Sequence, residues 1–274
     1  LFSMVAQKEP SNPLAWSRLG SLFLRMGNSK EAAAFLNRSL SIDPSSTTVR
    51  LELSKSLMDQ GEFELALQDL QRVVVEAPDN VDGRILIANA LRGCGRAKEG
   101  VDHLHMATEL DPDNPRVHHN LGTLLSSLGQ VDEPIRRYQM ALKLKPDAWH
   151  IWVAMGQLMV SLGRLEKGER CFDIVIEHRP DYIEAIAGKG SVLIRRGQYP
   201  EVVELLRGPI ERGEREVNLV LAFSNACQQM GIHDTPAAIL REMLALPQSK
   251  PAASMLWHSL AHHLDKVGGS EEAF

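Results

Sequence analysis

Cysteine is scarce. Cys94, Cys171 and Cys227 are odd in number and scattered over 274 residues, which excludes a disulfide framework and any zinc-type Cys pairing. A reducing, cytoplasmic compartment is the setting that fits them. Long apolar runs are also missing. None approaches the roughly 20 residues that span a bilayer, and no signal peptide is visible, so no membrane partner is expected. Neither sign of charge dominates: the net charge is -5 and the isoelectric point is near 6.1. Such a balance gives no drive toward nucleic acid. Phosphate-cradling Gly-Lys-Ser/Thr loops, G-x-S-x-G and H-E-x-x-H are absent, so neither a cofactor nor a catalytic centre is expected in this segment. Aromatic residues make up only 5%. That fits helices packed with Leu, Ala, Val and Met.

What is present is a period. Pro10, Pro44, Pro78, Pro112, Pro146 and Pro180 are each 34 residues apart, and Gly27, Gly61, Gly95, Gly129, Gly163, Gly197 and Gly231 keep the same step. Apolar residues between these breakers recur at helical spacing, as in Leu19, Gly20 and Phe23, then Ala32, Leu36 and Ile42. Each glycine falls where a first helix should end with positive φ. Each proline falls where a second helix should stop. The unit is therefore a pair of antiparallel helices, and stacked units bury what one pair cannot.

The spacing resembles the tetratricopeptide repeat, with its W-x2-L-G-x2-Y…A-x3-F…P pattern in 34 residues. The first unit reads Trp16, Leu19, Gly20, Phe23, Ala32, Leu36, Pro44; the fifth reads Trp152, Met155, Gly156, Met159, Phe172, Pro180. This resemblance implies an all-α, right-handed superhelical solenoid of about fifteen helices. Position 8 of each unit should be small because a helix crosses there: Gly20, Ser54, Ala88, Gly122, Gly156, Gly190, Ser224 and Ala261. Positions 7, 11 and 24 should fill the core between helices.

The expected units are 13–46, 47–80, 81–114, 115–148, 149–182 and 183–216. A looser seventh spans 217–253, and a truncated eighth opens at Trp257. Residues 1–12 read as the second helix of a preceding unit. With both ends inside a hairpin, the chain reads as a segment of a larger protein, and self-association through uncapped ends is open. The sixth unit departs most. Lys189 takes a core position, and Pro209 should end its second helix near Arg207, leaving an irregular 208–213 link. Pro134 and Pro236 fall in first turns, where the missing N–H costs little.

Ten histidines invite a metal reading. His103 and His105 are two apart and face different ways, whereas His258 and His262 are four apart and could chelate, but no third ligand stands at helical spacing. No metal is expected. The cysteines read as small buried or half-buried hydrophobes.

In the family the first helices line a concave groove through positions 2, 5, 9, 12 and 13. Position 9 here is polar in seven units: Ser21, Lys55, Asn89, Thr123, Gln157, Ser191 and Asn225. The five positions carry Arg25, Lys55, Arg92, Arg116 and Arg195 against Asp59, Asp82 and Glu184, with His119 and His150 adding potential charge. The candidate peptide-binding set is Lys55, Asn89, Arg92, Arg116, His119, Thr123, His150, Gln157 and Asn225. Its cations imply an acidic or carboxylate-ended peptide. Against the chaperone-type clamp of the family, Asn89 and Asn120 match while Ile85, His150 and Ala154 do not. Of the glycosyltransferase-type Asn ladder only Asn120 is present. The expected function is a protein-interaction scaffold that holds a peptide or partner protein. The alternative is the recruiting arm of a larger transferase, because 204–274 is similar to the arms fused to bacterial sulfotransferase domains through Leu256–Leu264 and Glu271–Phe274.

Overall fold

A computed structural model describes residues 10–246 and 249–267. Among them are fifteen α-helices and no strand. In chain order these are α1 (Pro13–Arg25), α2 (Ser29–Ile42), α3 (Thr47–Asp59), α4 (Phe63–Glu76), α5 (Val81–Gly93), α6 (Ala97–Leu110), α7 (Pro115–Ser127) and α8 (Asp132–Leu144). There follow α9 (Trp149–Ser161), α10 (Leu165–His178), α11 (Ile183–Arg195), α12 (Tyr199–Glu211), α13 (Val217–Gln229), α14 (Asp234–Leu244) and α15 (Lys250–Val267). The helix expected before Pro10 lies outside the described residues.

The turns show why the glycines repeat. Gly27 has φ of 79°, a backbone that a side chain disfavours. There the N–H of Asn28 bonds the Phe23 carbonyl at 2.9 Å and that of Gly27 bonds Leu24 at 3.1 Å, satisfying carbonyls that a helix end orphans. The same positive φ recurs at Gly61, Gly95, Gly129, Gly163, Gly197 and Gly231. Helix starts are capped by Asn12, Asn80 and Asn114, whose side-chain oxygens accept from backbone N–H groups two or three residues on.

The chain divides between Asp147 and Ala148 into two compact units. In the first, α1 to α8 pair as hairpins, and each first helix also lies against the next one. Leu36, Leu70, Leu104 and Tyr138 are buried between the paired helices, beside Leu19, Leu53, Ile87 and Leu121. The second unit holds α9 to α15. Phe172, Leu206 and Leu240 fill the same places there, and one continuous cluster runs from Ile186 to Leu264. The small position 8 is buried from Gly20 through Ser224, and a Cβ on Gly156 would lie 2.7 Å from the Phe172 ring. Ala261 in α15 is only half-buried; the fully buried side chains of that helix are Leu256 and His263. Trp257 is 55% exposed.

One expectation is corrected. The second helix of the sixth unit does not end near Arg207: α12 continues to Glu211 with Pro209 inside it. Pro209 stands in the last turn, so its missing N–H forgoes one helical bond, and Pro209 and Ile210 are both buried there. Gly213, at φ 89°, ends the helix, and the Arg215 guanidinium donates to the Ile210 carbonyl at 3.1 Å. Burial of the last turn thus outweighs the lost bond. Pro134 and Pro236 lie in the first turns of α8 and α14 and are buried.

Candidate functional site: the groove face of the first helices

In the second unit, α9, α11 and α13 lie side by side and enclose a cavity of about 330 Å³. Its lining follows the repeat. Gln157, Val160 and Ser161 are positions 9, 12 and 13 of the fifth unit. Glu184, Ala187, Ser191 and Arg195 are positions 2, 5, 9 and 13 of the sixth, and Asn218 is position 2 of the seventh. Phe172 forms part of the floor. Its ring reaches the cavity because residue 188 is glycine: a Cβ there would lie 2.5 Å from the ring. The packing of Gly188 against this ring thus shapes the cavity.

Charge is unevenly placed around this cavity. Glu184 lies in the first turn of α11, exposed, with no hydrogen bond or ion pair among the described residues. Glu216 caps α13: one oxygen accepts from the Leu219 N–H at 2.7 Å and the other from Asn218 at 3.0 Å. Arg195 is the last residue of α11, and its guanidinium donates to the Val160 carbonyl at 2.8 Å. Lys189 points elsewhere, its Nζ 2.7 Å from Asp173.

In the first unit the row of position-9 residues is partly occupied by bonds between neighbouring helices. Ser21 donates to Glu52, and Asn89 donates to Asn120 at 3.0 Å. Thr123 and the Tyr138 hydroxyl share a bond of 3.0 Å. His119 lies tilted against Tyr138 with ring centroids 5.9 Å apart. Burial pushes the Tyr138 phenol above its usual range, opposed by the Thr123 bond and the Arg92 charge. Of the three candidate cations, Lys55 and Arg92 are exposed and form no ion pair among the described residues, whereas Arg116 is held by Asp82 at 2.6 Å.

The nine candidate residues therefore divide. Lys55, Asn89, Arg92, Arg116, His119 and Thr123 belong to the first unit. His150, Gln157 and Asn225 belong to the second, all three exposed. Gln157 lines the 330 Å³ cavity and Asn225 a second one beside His258, Ser259 and His262. Arg195 and Glu184 stand at groove positions but outside the candidate peptide-binding set. Glu216 stands one place before its unit and escapes any positional rule.

Below the second cavity lies a buried polar chain. Ser259 bonds Ser224 at 2.7 Å, Ser224 bonds His263 Nε2 at 2.7 Å, and His263 Nδ1 faces His233 Nδ1 at 3.0 Å. Ser224 has no exposed surface, so no substrate reaches its hydroxyl. Burial pushes the Cys171 and Cys227 thiols up to about 11, which keeps them unreactive. Among the described residues no three or more His, Cys, Asp or Glu side chains gather as metal ligands, and no helix is long and apolar enough to cross a membrane.

Hairpins stacked with a 34-residue step and a groove of first helices define a helical-repeat solenoid. The family described as tetratricopeptide repeat matches residues 14–46 and 57–126. These two stretches carry tetratricopeptide repeats, and the same hairpin is repeated through the other helices. Among solved structures it is similar to a tetratricopeptide-repeat protein of Parabacteroides merdae, with 13% identity, 92% of this chain and 98% of that one covered, and a TM-score of 0.70. A thermophilic one of Thermus thermophilus shares 22% identity over 67% of this chain and all of that one, with a TM-score of 0.62. A chain of the APC/C hetero-tetramer Cut9–Hcn1 aligns over 94% of this chain and 55% of its own length, with 13% identity and a TM-score of 0.64. At these identities the likeness is one of fold. No curated protein matches the chain. The resemblance to sulfotransferase-linked arms has no counterpart among the structures named.

Proposed function

We propose that the chain is a protein-interaction scaffold whose groove holds a peptide segment of a partner protein. The observation that carries this reading is the 330 Å³ cavity, because its lining is built from the groove positions of three successive first helices. Space at those positions, over an apolar floor with polar rims, is what an extended or helical segment needs. In the first unit Lys55 and Arg92 favour an acidic or carboxylate-ended segment, while Arg116 is already neutralised by Asp82.

Site-specific photocrosslinking tests this in producing cells. A benzophenone side chain at Ser191, in the cavity, or at Ser126, position 12 of α7, should yield discrete protein adducts. One at Val75, 78% exposed on the second helix α4, should not. Adducts of equal yield from Val75, or none from Ser191 and Ser126, would refute the groove. Reversing Lys55 and Arg92 to Glu should lower the Ser126 yield, and raised salt should do the same. An unchanged yield removes the acidic preference alone.

A further inference from the structure

The second unit's cavity is polarised along its helices. Glu184 is the second residue of α11, and Glu216 immediately precedes α13, so both carboxylates stand where the lining helices begin. Arg195 closes α11, eleven residues beyond Glu184. At about 1.5 Å of rise per residue, that separates the two ends by roughly 16 Å. Between them lie Ala187, Gly188, Ser191 and the edge of Phe172. The slot is acidic at one end, basic at the other and apolar in its floor.

The two ends are not equally committed. Arg195 already gives a hydrogen bond to the Val160 carbonyl, at the C-terminal end of α9, where a cation is favoured. Glu216 spends one acceptor site on each oxygen to cap α13, and a carboxylate has about four such sites in all. Glu184 has made no bond among the described residues. Unspent acceptor capacity is therefore concentrated at the end where α11 and α13 begin, and among the described residues no cation pairs with Glu184 or Glu216. Lys189, the lysine nearest in sequence, is bound to Asp173.

We infer that this cavity takes a basic side chain, the Lys or Arg of an extended partner segment, with its charged head between Glu184 and Glu216. The inference rests on the groove reading above and names the chemistry of one subsite in it. The aliphatic stem of such a residue lies over Ala187 and Phe172, as long basic side chains do on apolar surface. The head meets two carboxylates at the rim of the cavity, and charge-assisted hydrogen bonds to them are stronger than neutral ones. A guanidinium suits two carboxylates better than an ammonium because its donors form a planar fork. The segment is a peptide rather than a free amino acid, because the α-carboxylate of free Lys or Arg lies only about 6–7 Å from the side-chain head and cannot bridge roughly 16 Å to Arg195.

A selection of phage-displayed random nonapeptides on the whole 274-residue chain tests this. Recovered peptides, synthesised with a fluorescent label, are measured by polarisation against the chain and three variants: Glu184→Gln, Glu184→Lys and Ser191→Trp. Far-UV circular dichroism and thermal melts establish that each variant stays folded. Peptides that lose binding to Ser191→Trp should carry Arg or Lys at one recurring position. Replacing that residue by Gln should weaken them at least tenfold, and Glu184→Gln and Glu184→Lys should weaken them in that order. Added salt should reduce binding to the chain more than to Glu184→Gln. Peptides blocked by Ser191→Trp but without a recurring basic residue, or indifferent to Glu184→Lys, would overturn the basic subsite and leave the groove standing. Failure to recover any peptide sensitive to Ser191→Trp would overturn both.

Discussion

The imidazole of His118 donates through Nε2 to the carbonyl of Pro112, six residues back, at 2.7 Å. The carbonyl can only accept, so Nε2 carries the hydrogen. Trp16 makes the same bond to Pro10 at 3.0 Å, Arg84 to Pro78 at 2.6 Å, and Arg50 to Pro44. Position 4 of four units thus holds a donor for the proline that ends the helix before it. Three chemically unlike side chains serve one backbone acceptor, so the selection is for a long reach with an N–H at its tip. This is a reason for the family's tryptophan at that position that bulk alone does not supply.

Replacing His118 by Phe keeps the volume and removes the donor. The Pro112 carbonyl then loses its side-chain partner, while the buried His118 Nδ1, which has no partner, is removed with it, so the net cost should be no more than about 1 kcal/mol. Trp16→Phe, at a more exposed bond, should cost less. Urea unfolding followed by circular dichroism checks both, and equal losses would show that packing and not the bond sets position 4.

The glycines at position 8 are not equivalent, and the difference sets the sign of a substitution. A Cβ on Gly156 would lie 2.7 Å from Phe172, whose ring is also pressed by Gly188. A Cβ on Gly190 would lie 3.5 Å from Leu206, an ordinary contact. Gly156→Ala must push an aromatic ring out of a full core and should lose about 1–3 kcal/mol. Gly190→Ala meets no obstacle and should gain up to about 1 kcal/mol from helix propensity. Thermal melts of the two variants moving in the same direction would sink this reading.

The repeat was legible because it is written in breakers. A glycine with positive φ and a stopping proline recur every 34 residues, and both act locally, so the hairpins follow from the sequence without a partner. The small residues at position 8 were legible for the same reason, since Gly, Ser and Ala have one use at a helix crossing. Pro209 was misread because its effect depends on burial: the last turn of α12 is kept by Ile210 in the core, which no local rule weighs. The groove was legible as positions but not as a state of charge. Asp82 and Arg116 share the groove face by position, but their pairing shows only in the fold, because those residues are 34 apart and meet only when two units stack. Glu216 was missed because it acts as a cap first and reaches the cavity second.

Acid should weaken the second unit through His263. Burial, with the charges of His233 and His262 second, lowers its pKa to about 4, while an unfolded imidazole titrates near 6.5. As pH falls, the unfolded chain therefore takes up this proton first. The stabilisation is complete above about 6.5 and is lost progressively between 6.5 and 4, on the order of 3 kcal/mol over that span. Trp149, Trp152 and Trp257 all lie in this unit, so tryptophan fluorescence reports it well. Urea midpoints should fall between pH 7 and pH 4.5 in the parent chain and much less in His263→Gln. Parallel slopes in the two proteins would assign the acid sensitivity to other groups.

Lys189 occupies position 7 of α11, where neighbouring units hold Met155 and Phe223. Its stem fills the core position and its Nζ leaves it, ending 2.7 Å from Asp173 on α10. The lysine side chain is 29% exposed and the aspartate 47%, so water screens the pair and it should contribute at most about 1 kcal/mol. Lys189→Leu loses that contribution but returns apolar volume to a position built for it and removes the cost of holding an ammonium near the core. Burying a leucine there is worth about 1.5–3 kcal/mol against leaving it in water, so the balance favours the variant by about 1 kcal/mol. Asp173→Ala in the parent chain should cost about 0.5–1 kcal/mol, because the ammonium then has no counter-ion. In the Lys189→Leu background the same change should cost almost nothing. The four melts form a double-mutant cycle whose coupling equals the ion pair. A destabilised Lys189→Leu variant would mean that the lysine is kept for the stability of this unit and not tolerated in spite of it.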